Sequence, residues 1–85
     1  MWYAVLQKEI MWYSTLLEKY IPVQAGRVYK VEKTSPNFVR AVNVHNPVDV
    51  LYFSKQEAKA VFTRPTKDLD SAMEESFMVC EREYC

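Results

Sequence analysis

Apolar side chains recur along the first quarter of the chain at intervals that suit a helix. At about 100° per residue, Trp2, Leu6, Ile10, Tyr13, Leu17 and Tyr20 share one face, and Val5, Trp12 and Leu16 widen it. Gln7, Lys8, Ser14, Thr15, Glu18 and Lys19 take the other side. The spacing predicts an amphipathic helix over 2–21, stopped by Pro22 because the residue before a proline is pushed out of the α region. A rival reading makes Trp2 to Gln7 a short edge strand ahead of a shorter helix.

Beyond Pro22 the pattern turns extended. Arg27 to Lys33 reads as a strand after the Gly26 turn, Asn37 to His45 as a second and Val48 to Phe53 as a third. Thr34-Ser35-Pro36 and Asn46-Pro47 separate them with turn chemistry, and connections this short join antiparallel neighbours. Phe38, Val42 and Val44 would share one face of this meander, with Val39 and Ala41 on the opposite face. Ser54-Lys55-Gln56-Glu57 has the spacing of a capping box, so a helix starts at Lys55, with Ala58, Val61 and Phe62 as its apolar stripe and Arg64-Pro65 as its end. From about Asp68 the chain scans as helical again, with Leu69, Met73, Phe77, Cys80 and Tyr84 in one stripe. Its second half, Phe77 to Tyr84, reads equally as a terminal strand. The expected architecture is a single α+β domain over 1–85: an N-terminal amphipathic helix, a three-stranded antiparallel sheet, a short helix, and a C-terminal helix or strand.

Composition narrows this picture. A chain of 85 residues forms one domain and buries only about 60% of its unfolded surface. Its aromatic content of 14% or association with another chain would have to supplement the core. Two cysteines and a start that meets Lys8 and Glu9 at once point to a reducing, cytoplasmic compartment without an export signal. A Cys80 to Cys85 bridge would close too short a loop to add much. No stretch of about 18 uncharged apolar residues exists to span a membrane.

The chain is formally neutral but divided. Residues 1–67 carry ten Lys or Arg against five Asp or Glu, whereas the remainder sets Arg82 against six carboxylates. Chemistry is poorly provided for: His45 is the only histidine, no Ser or Cys has nucleophile context, and one glycine excludes a phosphate-cradling loop. His45, Cys80 and Cys85 lack the paired spacing of a zinc site. The expectation is a protein that is not an enzyme and takes no cofactor or metal.

Binding fits the sequence better. Tyr3, Trp12 and Tyr13 are candidates for an apolar anchor, because rings of this kind dominate interfaces. Asp70, Glu74, Glu75 and Glu81 are candidates for an acidic dock on a basic partner surface. Self-association into a homodimer is an alternative. So is nucleic-acid binding through Arg40, Lys55, Lys59, Arg64 and Lys67. Over Ser54-Lys55-Gln56-Glu57-Ala58-Lys59 the chain resembles the lysine-bearing helix start of double-stranded-RNA-binding domains, which implies lysines set against phosphates. Gln56 replaces one of those lysines and Pro65 shortens the helix, so nucleic acid ranks below protein as a partner. In its Met1-Trp2-Tyr3-Ala4-Val5 opening, the Gly26 to Val31 segment and the Tyr52 to Lys59 run, the chain is similar in manner to small bacteriophage-encoded accessory proteins. That resemblance implies an inhibitor that occludes a surface of a host enzyme or defence complex in the host cytoplasm.

Overall fold

A computed structural model describes residues 1–83. Among the described residues six strands precede two helices: β1 Trp2–Val5, β2 Ile10–Ser14, β3 Lys19–Val23, β4 Val28–Ser35, β5 Phe38–Asn43, β6 Val50–Ser54, α1 Lys55–Val61 and α2 Leu69–Glu83. The main sheet is antiparallel in the order β1-β4-β5-β6, and β2 and β3 form a separate hairpin. The class is α+β but mostly sheet. The three-strand meander is present, with β1 added beside β4.

The N-terminal helix over 2–21 does not form; three strands replace it. Positions 2, 6, 10, 13, 17 and 20 satisfy a helical period, yet 2–5, 10–13 and 20–23 are rich in Trp, Tyr, Val and Ile, whose shapes suit a pleated surface. A distant partner decides the outcome: Trp2 pairs with Val31, Tyr3 with Lys30, Ala4 with Tyr29 and Val5 with Val28. The rival reading of an edge strand near Trp2 is the correct one for β1, but no helix follows it.

β1 is no ordinary edge. Its second side is taken by the segment after α1: the Tyr3 amide donates to Thr66 O at 2.7 Å, and the Thr66 amide returns to Tyr3 O at 2.8 Å. Thr63 N donates to Val5 O at 2.8 Å, and Gln7 N to Val61 O at 2.8 Å. Thr63 Oγ1 also accepts from Val5 N at 2.9 Å. Both main-chain edges of β1 are therefore satisfied, which removes the liability of an open strand.

Alternation along the strands sorts side chains onto two faces. Ala4, Leu6, Tyr29, Ala41, Leu51 and Phe53 build one cluster, covered by Val61 and Phe62 from the end of α1 and by the inner side of the hairpin. Trp12 seals that layer: its ring stacks on Phe53 at 4.6 Å, and its Nε1 donates to Tyr52 O at 2.8 Å. A lone two-stranded hairpin is marginal in water, so this contact is what holds β2 and β3. The opposite face carries Val5 and Val28, covered by Ala72 and Val79 of α2 together with Ala25.

Ser54 caps α1 as the sequence predicts, accepting from Glu57 N at 3.1 Å while Glu57 Oε1 accepts from Ser54 N at 2.8 Å. The ambiguous second half of the last segment is helical through Glu83. Its core face is unexpected. Ala72 and Val79 are buried and Ser76 Oγ donates to Gly26 O, whereas Leu69, Met73 and Phe77 are exposed. The small residues dock because they let the helix approach the sheet closely. Tyr84 and the Cys80 to Cys85 pairing lie outside the described residues. No helix among the described residues is long and apolar enough to cross a membrane.

Two predictions follow from local geometry. Glu18 closes the β2–β3 turn at φ 55°, a left-handed conformation that costs a side-chain-bearing residue about 1 kcal/mol. Glu18→Gly should raise stability in urea unfolding by roughly 0.5 kcal/mol, the strain relief less the entropy glycine loses; a loss of stability would contradict the turn. Tyr29 is fully buried and its hydroxyl donates to Asp49 Oδ2 at 3.0 Å. Burial first, then the Asp49 charge and hydrogen bond, raise its phenol well above the ordinary range, with Arg27 opposing. The folded state thus holds the proton that the unfolded chain releases above about pH 10. Stability is full below that point and falls beyond it by up to about 1.4 kcal/mol per pH unit. Tyr29→Phe should unfold more easily at neutral pH yet lack this alkaline slope; parallel profiles for the two proteins would be contrary.

Candidate functional site

Three surfaces stand out once the core is placed. The first is a groove of about 1180 Å³ between the sheet and α1. Antiparallel register puts Trp2, Val31, Lys33 and Val39 on the same sheet face, because Trp2 pairs with Val31 and Lys33 with Val39. Ala58 and Phe62 close the other wall, and the capped start of α1 brings Lys55 to the rim with Lys59 one turn further on. Arg64 follows from the segment that pins β1. The result is an apolar floor under Lys33, Lys55, Lys59 and Arg64. Glu32 is the one carboxylate among the described lining residues, and it is bound by Arg40.

Of the five residues singled out for phosphate contact, Lys55, Lys59 and Arg64 line this groove. Lys67 does not line it, but its Nζ lies 5.0 Å from the centroid of the ring of Trp2, which does. Arg40 does not join them. It sits on the opposite sheet face, paired in register with Glu32, whose carboxylate raises the guanidinium pKa further. Lys33 and Trp2 were missed as groove residues. Nothing local marks them, since it is the β1–β4 pairing across the chain that brings them to α1.

The second surface is the outer side of the hairpin. Met11, Tyr13, Tyr20 and Pro22 alternate outward in paired positions, Met11 opposite Pro22 and Tyr13 opposite Tyr20, while Ile10, Trp12 and Val23 point inward. Leu16 and Leu17 sit at the turn, which Ser14 Oγ steadies by accepting from Leu17 N at 3.2 Å. Tyr13 and Tyr20 meet edge to face at 5.4 Å. The three aromatic anchor candidates thus separate. Tyr13 is exposed here, Trp12 on the reverse of the same strand is engaged with Phe53, and Tyr3 lies on the far sheet face against the α2 cluster.

The third surface is the solvent side of α2. Leu69, Met73 and Phe77 recur at four-residue spacing, and helical geometry places Asp70, Glu74 and Glu81 in the adjoining strip. All three carboxylates are exposed; Glu75 is half-buried beside Val79, in a shallow depression that Thr63 and Glu81 also line.

His45 lies exposed just past β5, its amide donating to Asn43 Oδ1 at 2.9 Å. No group of three or more His, Cys, Asp or Glu suited to a metal occurs among the described residues. The strongest polar cluster is structural: Asp49 Oδ2 accepts from Tyr29 and, at 3.1 Å, from Asn43 Nδ2, with Arg27 Nη1 at 3.5 Å, and so ties the β5–β6 connection to β4. Comparison with protein-family models, with curated proteins and with solved structures finds no match to this chain.

Proposed function

We propose that this protein is a non-enzymatic binding module that acts by covering a surface of another protein, and that the outer side of the β2–β3 hairpin is what docks. One observation carries the reading: Met11, Tyr13, Leu16, Leu17 and Tyr20 crowd the outer side and turn of the hairpin at 43% to 66% exposure. Exposed apolar residues are ordinary when scattered and informative when contiguous. The flanking charges cancel, Lys8 and Lys19 against Glu9 and Glu18, so this face offers no net attraction to a phosphate chain. The partner it fits is an apolar pocket on a protein. Tyr13 and Tyr20, already held against each other, lose little side-chain freedom on docking.

The likeness to small phage-encoded accessory proteins supports an inhibitor whose target is a host enzyme or defence complex. Occlusion needs no catalytic groups, only area and complementarity.

Pull-down from a bacterial lysate with the wild type and with a Leu17→Ser, Tyr20→Ser double variant tests the proposal. The wild type should retain a stoichiometric protein that the variant loses. Because both positions face solvent, each substitution should change stability by no more than about 0.5 kcal/mol. Absence of any stoichiometric protein, or equal capture by both forms, would refute the assignment.

A further inference from the structure

The groove and the exposed side of α2 are complementary in chemistry. One is an apolar floor of Val31, Val39, Ala58 and Phe62 under a cationic rim; the other is an apolar stripe of Leu69, Met73 and Phe77 beside Asp70, Glu74 and Glu81. Their spacing agrees as well. Lys55 and Lys59 stand one turn apart on α1, as Asp70 and Glu74 do on α2, and residues four apart on a helix are about 6 Å from each other along its axis. Within one molecule the two cannot meet. α2 is held on the Val5 and Val28 face by Ala72 and Val79, while the groove opens on the Ala4 and Val31 face.

We propose that the groove of one copy receives the solvent side of α2 from a second copy. Leu69, Met73 and Phe77 then cover the floor, and Asp70 and Glu74 face Lys55 and Lys59. The division of the chain into a basic body and an acidic last segment takes on a use in this contact, since it aligns opposite potentials between neighbours. A phosphate chain matches the rim but leaves the apolar floor uncovered; the helix matches both. The contact is heterologous. Because donor and acceptor surfaces lie on opposite sides of the sheet, a docked pair does not close on itself, and each pair retains one open groove and one open helix. Growth is head to tail, reversible and weakened by salt, which screens charges at an exposed rim.

This inference is independent of the hairpin and leaves those residues untouched in its test. Sedimentation velocity would compare the wild type with two variants. Lys55→Glu with Lys59→Glu spoils the groove and keeps the helix; Met73→Asp with Phe77→Asp spoils the helix and keeps the groove. All four positions are exposed, and circular dichroism checks that both variants fold. The wild type should pass from monomer through dimer to larger species as concentration rises, and return to monomer in high salt. Each variant alone should remain a monomer. Mixed in equal amounts they should form a 1:1 pair and stop there, the signature of one intact groove meeting one intact helix.

A wild type that is monomeric at every concentration overturns the proposal, as do variants that assemble like the wild type or a mixture that yields no pair. A monomeric wild type that shifts a single-stranded thymidine oligonucleotide, with the shift lost in the Lys55→Glu, Lys59→Glu variant, would reassign the groove to phosphate.

Discussion

Everything in this fold hangs on the main chain of β1, which is hydrogen-bonded along both edges. Val28–Val31 pairs with one side, and residues 61–66 hold the other through bonds at Tyr3, Val5 and Gln7. Four residues thereby join three parts of the chain that are remote in sequence. Their side chains serve both layers: Ala4 enters the cluster under α1 and the hairpin, and Val5 enters the cluster under α2. In a domain this small, where burial is limited, one strand packed on both faces and bonded on both edges is an economical way to close the core.

The surfaces follow from that constraint. Pinning residues 61–66 to β1 fixes the far end of α1, brings Arg64 into the lining that Trp2 shares and opens the groove on one face of the sheet. The same segment leads directly into α2 on the other face. A basic rim and an acidic helix are thus kept apart by the thickness of the sheet, although they are close in sequence. The hairpin is a separate matter: it is attached through Trp12, Ile10 and Val23 on its inner side, and its outer side is left to solvent.

Much of the latter part of the chain was legible because its signals are local. Proline and asparagine turns delimit β4 to β6, a capping box starts α1, and helical spacing marks α2. The first 23 residues were not legible, for a physical reason. A strand buried on both faces shows no polar alternation, so Trp2 to Leu6 satisfies a helical period as well as an extended one. The β2–β3 turn contains no Gly, Asn or Pro and places Glu18 at positive φ instead, which hides the hairpin. On α2, large apolar residues suggested the buried side, whereas close approach selected Ala72, Ser76 and Val79. Among the site residues, Lys55, Lys59 and Arg64 fall together through the local geometry of α1. Lys33 and Trp2 join them only through pairing across the chain, and the aromatic anchor expected from the sequence is dispersed because Trp12 and Tyr13 are neighbours on a strand and so point opposite ways.

Amide hydrogen exchange at Tyr3, Val5 and Gln7, followed by NMR, interrogates the double-edged strand most directly. These three donate to Thr66 O, Thr63 Oγ1 and Val61 O, away from β4. They should exchange as slowly as the amides of β4 and β5, only through opening of the whole domain. Exchange of these three at the rate of an unprotected chain, with β4 and β5 still protected, would show that the outer edge of β1 is open and would remove the basis for both the groove and the placement of α2.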